Sequence, residues 1–441
     1  MRCWLERLLF ERFDHAWVLD NTADCLRLGL IGGAGAIVFD AVEPGFTQAR
    51  SDQPCTQWHA EREGWQSVLG GPLPAPGVAS LPFPLIEQRG GETYIHYDIL
   101  GLTYWMLARI EEIGRTDLDN HDRFPATSSH AFKHGYLDRP VVDEWLHVLG
   151  QVIERQWVGV ALRKHESKIF VTCDLDSPYE ARVNLARLPR KVAGDLLKRG
   201  SVGMALGSIA RGFRNQEPSS ANDSHLATID WMMDLNERAG NRVAFYFMTD
   251  RNHPLDSHYR MDEPVTRHLL RRIHDRGHEI GLHPSYTSYA DSERTVKEAN
   301  ILRAAMGAEG IRQPEIGGRQ HFLRWSSPLT ARNLVAAGLK YDSTLYYADR
   351  AGFRCGTCHE VQMFDPVHDR ALLLRQRPLV LMECSVIADR YMGLGYGDEA
   401  FAVMHGFKST CEKVGGVFTF LWHNSHLVGE RDREFYSGLV T

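Results

Sequence analysis

From Lys168 onward the chain alternates short apolar runs with amphipathic segments of helical period, and that alternation leaves few folds open. KIFVTCDLD reads as a buried strand ending in acids, and ATIDWMMDLNERAG as a helix stopped by Gly240. NRVAFYFMTD is a strand, EPVTRHLLRRIHDRG a helix stopped by Gly277, and HEIGLH a short strand. The pattern continues through the helices SERTVKEANILRAAMG and TARNLVAAGLK and the strands RPLVLMECSV and GGVFTFLWHN. Repeated strand–helix units call for a parallel sheet covered on both faces, either open or closed as a barrel. The fold class is α/β.

A chain of 441 residues has room for one barrel of ~250 residues and a second domain. The expected division is an N-terminal α/β accessory domain over 1–160 and a barrel over 161–441. In the first part, CLRLGLIGGAGAIVFD reads as a glycine-rich hairpin, because strand residues follow the glycines where a nucleotide loop would open a helix. Pro72, Pro74, Pro76, Pro82 and Pro84 make a stiff connector, and helices are expected over 98–113 and 138–157.

Fifty basic against fifty-six acidic residues give a net charge of −6, which excludes nucleic acid as the expected partner. No run approaches the ~20 apolar residues of a membrane span, and MRCWLERLLFERFDHAW is unlike a secretory signal, so a cytoplasmic location is expected. Eight cysteines are too sparse for a disulfide scaffold. Cys355-Gly-Thr-Cys358-His359 fits the short haem-attachment pattern but reads as two thiols in an intracellular loop.

In a barrel, side chains at the C-terminal strand ends share one mouth. Those ends carry Asp174, Asp176, His283 and His423, with Arg319 and His321 after a short strand expected over 314–318. Carboxylate and imidazole together suit zinc or a similar divalent ion with a position open for water.

At these residues the chain resembles the polysaccharide deacetylases of the NodB-homology group, over roughly 168–426. Thr172-Cys173-Asp174-Leu175-Asp176 is similar to the family's opening T-x-D-x-D, and Gly277-His278-Glu279-Ile280-Gly281-Leu282-His283 to its G-H-E-I-G-x-H. Arg319-Gln320-His321-Phe322 resembles the arginine motif, and Leu421-Trp422-His423 the closing L-x-H. The resemblance implies a distorted (β/α)7-like barrel and metal-dependent removal of an N-acyl group, acetyl or formyl, from an amino sugar. It further implies Asp174 as general base, His423 as general acid, Asp176 and His283 as metal ligands, and Leu421 and Trp422 around the acyl group. Arg319 joins the catalytic set, and the cofactor is one divalent ion, zinc first.

One departure stands out. Thr287 occupies the position of the family's second histidine, and threonine is a poor zinc ligand. His321, where the family carries a proline, is expected to supply the third ligand. Asp342 is expected to bind substrate or orient Arg319, or else to start a helix with the Ser-Thr that follows it, and Arg354 to grip a phosphate or carboxylate or to stay solvated in its loop. An insertion at about 181–215 carries eight basic residues between Arg182 and Arg214 against the single acid Asp195. It is expected as a lid for an anionic sugar, nucleotide-linked or lipid-diphosphate-linked, with peripheral membrane contact. A cytoplasmic location suits a sugar precursor and so surface-polysaccharide biosynthesis, and the N-terminal domain is expected to close one side of the cleft or to build a homodimer. The alternative is a metal-free carbohydrate-binding barrel that has lost catalysis.

Overall fold

Eight residues of apolar strand sequence, Lys168–Leu175, form the central strand of the C-terminal part of the chain. A computed structural model describes residues 1–22, 25–180, 218–427 and 429–441. The basic stretch from Arg182 to Arg214 therefore lies outside the described residues.

Fifteen strands are described. In the N-terminal part they are β1 (Trp17–Asn21), β2 (Leu26–Leu30), β3 (Ile37–Phe39), β4 (Cys55–Trp58), β5 (Leu73–Pro76), β6 (Ile86–Arg89) and β7 (Glu92–Ile95). β1, β2, β3, β7 and β6 form one mixed sheet in that order, and β4 pairs with β5. The glycine-rich segment is the β2–β3 hairpin, as its sequence implies. The helix Ile99–Leu107 starts where Asp98 accepts a hydrogen bond from the Gly101 amide, a side-chain cap. The helix Val141–Gln156 follows Pro140.

The C-terminal part holds β8 (Lys168–Leu175), β9 (Val243–Phe247), β10 (Glu279–Leu282), β11 (Tyr341–Asp342), β12 (Val361–Asp365), β13 (Arg370–Gln376), β14 (Leu381–Met382) and β15 (Val417–Leu421). Five of them lie in the order β10–β9–β8–β15–β14, all parallel. Gly318 bridges Leu282 to Asp342 and so links this sheet to the β11–β13–β12 sheet. Among the described residues these ladders make an open series rather than a hydrogen-bonded ring. Its edge strands are β12 and β14, so the expected α/β class with a parallel sheet is present, while the pairing does not confirm a closed barrel. The segment 314–318 contributes the single Gly318 bridge instead of a strand. RPLVLMECSV gives only β14, then turns into the short helix Glu383–Ile387.

Alternate residues of β8 face opposite ways. Val171, Cys173 and Leu175 join the main core, while Phe170 packs with Ala244, Tyr246 and Tyr341 on the other face. That second face is crowded. A Cβ on Gly281 would collide with the Tyr246 ring, and one on Gly317 with the Tyr341 ring, which accounts for both glycines. The apolar core is continuous from Trp4 to Val440 and crosses the boundary expected near residue 160.

Cys355 and Cys358 are buried thiols in the loop that packs on the helix Val141–Gln156. The Cys358 amide donates to Asp143 Oδ2 at 3.0 Å. Among the described residues, no helix is long and apolar enough to cross a membrane.

Candidate active site

Thr172, Asp174 and Asp176 follow one another at intervals of two along β8 and its end, so they share one face. His283 comes directly after β10, Arg319 after the Gly318 bridge, and His423 two residues beyond β15. The parallel order of β10, β9, β8 and β15 puts these chain positions at the same end of the sheet.

Asp176 is the centre of the group. Its Oδ1 lies 3.3 Å from His283 Nε2 and 3.7 Å from His321 Nε2, and its Oδ2 lies 3.7 Å from His423 Nε2. Asp176, His283 and His321 bring one ligand atom each to within 4.8 Å of one another. Asp176 Oδ1 is closed to solvent and has no hydrogen-bond partner, although the side chain keeps 38 % of its surface. Burial disfavours charge on Asp176, but His283, His321 and His423 outweigh it and hold the carboxyl well below its usual range. Burial likewise opposes charge on His283, and the Asp174 and Asp176 carboxylates raise its pKa regardless. An orphaned carboxylate oxygen facing two imidazoles is a donor set that fits a divalent ion.

Each of the two histidines is oriented through its other nitrogen. His283 Nδ1 sits 2.6 Å from the Arg319 carbonyl, and His321 Nδ1 sits 3.1 Å from Asp256 Oδ1. Such contacts fix which nitrogen faces an ion.

Arg319 has no exposed surface and spends its whole guanidinium on neighbours. Nη1 donates to Thr172 Oγ1 (2.8 Å) and Asp174 Oδ1 (2.9 Å), while Nε and Nη2 donate to Ser343 O and Oγ (both 2.9 Å). Asp174 Oδ2 stays 4.0 Å from His283 Nε2. His423 Nδ1 lies 2.6 Å from Glu383 Oε1. Burial disfavours the charge on both partners, yet the facing charges raise the imidazole pKa and lower that of the carboxyl.

No curated protein matches the sequence. Residues 49–158 match a family of unknown function, DUF7033. Among solved structures, the chain is similar to a protein assigned as a polysaccharide deacetylase from Mycobacterium smegmatis, with 14 % identity over 63 % of this chain and 84 % of that one, at a TM-score of 0.39. A probable polysaccharide deacetylase from Pseudomonas aeruginosa PAO1 gives 13 %, 63 %, 84 % and 0.37. Puue allantoinase gives 12 %, 64 %, 85 % and 0.38. At these scores the likenesses do not decide the reaction; the side chains have to.

Four residues that the sequence assigns to substrate are placed elsewhere. Arg354 is buried, with its guanidinium on Glu112 Oε1 (2.8 Å) and Oε2 (2.7 Å) and on the Tyr346 carbonyl. It ties Glu112 of the N-terminal part to the segment after β11, and these protein acceptors take up its guanidinium. Asp342 has no exposed surface and accepts from the Thr344 amide and hydroxyl. Leu421 and Trp422 are 1 % and 0 % exposed, and the Trp422 ring packs edge-on against Tyr436. Neither offers surface to an acyl group. Arg319 acts on Asp174 from behind, which makes it a positioning residue.

Glu383 and Asp256 are the functional residues that the sequence reading misses. Glu383 sits inside an apolar run that reads as strand and Asp256 in a loop, and the role of each depends on which histidine the fold brings alongside. The only signal is position: Glu383 follows β14, and Asp256 lies in the loop after β9.

Proposed function

We propose that the chain is a metal-dependent amide hydrolase that removes an acetyl or formyl group from the nitrogen of an amino sugar. The observation that carries this reading is the meeting of Asp174, Asp176, His283, His321 and His423 at one end of a parallel sheet. Asp176, His283 and His321 would hold the ion, with zinc the first choice for this donor set. When bound, such an ion polarises a carbonyl and lowers the pKa of water towards ~7.

The chain's own groups handle the protons. Arg319 Nη1 occupies Asp174 Oδ1, so Oδ2 is the oxygen left to take a proton from the attacking water. His423, kept charged by Glu383, presents Nε2 to the same space and hands a proton to the departing amine. The precursor, an activated or lipid-linked sugar handled in the cytoplasm, is read from the basic residues between Arg182 and Arg214.

Elemental analysis of the purified protein, followed by assay of acetate and formate release from N-acylated amino sugars, tests the proposal. One tightly held divalent ion and acyl release that disappears in D174N support it. A metal-loaded protein that releases no acyl group from such sugars overturns it, and sugar binding by a metal-free protein favours the carbohydrate-binding alternative.

A further inference from the structure

Beside the ligand triad lies a second group of donors. Glu383, Cys384, His423 and His426 each place one ligand atom within 4.8 Å of the others. The group is lopsided. Glu383 Oε1 takes His423 Nδ1 (2.6 Å), His426 Nδ1 (2.9 Å), the His423 amide (3.2 Å) and Cys384 Sγ (3.4 Å). Glu383 Oε2 is buried with no partner, on a side chain only 3 % exposed. Cys384 Sγ also lies 3.3 Å from His426 Nδ1. Among the described residues, no lysine or arginine ion-pairs with Glu383. The His426 side chain is 49 % exposed and Cys384 partly so, which leaves a route from solvent.

We propose that Glu383, Cys384, His423 and His426 form a second divalent-cation site, separate from Asp176, His283 and His321, and that filling it silences the enzyme. One thiol, two imidazoles and a carboxylate make a mixed sulfur, nitrogen and oxygen set of the kind zinc and cobalt accept. An ion there takes the place of the protons now shared around Glu383 Oε1. The thiol proton and the two Nδ1 protons leave to solvent, so affinity rises with pH. With its Nδ1 lone pair on the ion and Glu383 diverted, His423 no longer cycles a proton to the leaving amine. The silencing rests on the hydrolase reading; the binding does not.

The test is cobalt titration of the full-length protein after its metal has been stripped by a chelator. The expected result is two equivalents, one of which brings a near-ultraviolet thiolate-to-cobalt charge-transfer band. C384S and H426N each remove one equivalent, and the band goes with it in both variants. H283A removes the other equivalent and keeps the band, because the Asp176 site contains no sulfur. With zinc, activity rises over the first equivalent and falls at least tenfold over the second, while C384S resists the fall. Saturation at one equivalent without the band overturns the site even where amide hydrolysis is present. A band and two equivalents without any hydrolysis leave the site standing and overturn the reading of the reaction. A band without zinc inhibition overturns the silencing.

Discussion

His321 Nδ1 lies 3.1 Å from Asp256 Oδ1, and the Asp256 carboxylate is itself fixed by the amides of Tyr286, Asn252 and His253 at 2.8–2.9 Å. A carboxylate held by three backbone donors cannot turn, so it sets the rotation of the imidazole and points Nε2 at Asp176. D256N keeps the shape but loses the charge and the forced tautomer. Metal affinity, measured by competition with a chelator, is expected to fall about 10- to 100-fold, the usual effect of losing such a partner. H321A should lose more. D256N with wild-type affinity would falsify the orienting role.

The turn that carries His321 is strained, and the N-terminal part of the chain braces it. Phe322 and Leu323 have φ of 59° and 56°, in the left-handed region that costs a non-glycine residue roughly 1–3 kcal/mol. Arg123 Nη1 donates to the Phe322 carbonyl at 3.0 Å, and the His121 ring lies 4.7 Å from the Phe322 ring. R123A should let the turn relax and lower metal affinity severalfold. In an H321A background the same change should do nothing further, because the ligand it positions is gone. Equal losses in both backgrounds would reduce Arg123 to general packing.

How much of this the sequence discloses depends on where each residue sits. Asp174, Asp176, His283 and His423 were legible because strand ends in a parallel sheet share one side, and the strand is readable from its apolar run. His321 was reachable only through the gap left by Thr287. Glu383 was hidden inside RPLVLMECSV, since an apolar run does not reveal that pairing stops after Met382. Arg354 reads as a loop arginine that grips an anion or stays solvated, because its partner Glu112 is 242 residues away. The antiparallel β12–β13 pair went unread, as did the single-residue link at Gly318, which pairing alone creates.

Arg319 forks between Asp174 and Ser343, and its Cζ stands 5.1 Å from the centre of the Tyr246 ring. Lysine offers one point charge and cannot reproduce that fork. R319K is expected to lower kcat about 100-fold with little change in KM, because the aim of Asp174 shifts while the substrate contacts remain. R319M strips buried Asp174 of its arginine partner, at a cost of about 3–5 kcal/mol of stability. A proportional rise in KM in R319K, with kcat intact, would mean that the arginine contacts substrate after all.

Glu112 sits between two arginines in the joint between the N-terminal part and the sheet. Its Oε1 accepts from Arg109 Nε (3.0 Å) and Nη2 (2.8 Å) and from Arg354 Nε (2.8 Å). Burial disfavours its charge, but Arg354 and Arg109 outweigh burial and lower the carboxyl from 4.5 to about 2. A depressed carboxyl contributes stability that is fully present above 4.5 and disappears as pH falls through 2, about 3 kcal/mol for this interval. Glu111 alongside is shifted upward by burial and works in the opposite direction, so the comparison with a variant isolates Glu112. E112Q should unfold about 3–5 kcal/mol more easily than wild type at pH 7, having left two buried arginines short of a carboxylate. The gap between the two denaturant curves should narrow as pH drops from 4.5 towards 2, where wild-type Glu112 becomes neutral too. A gap that stays constant across that range would show that the carboxylate charge does not hold the joint together.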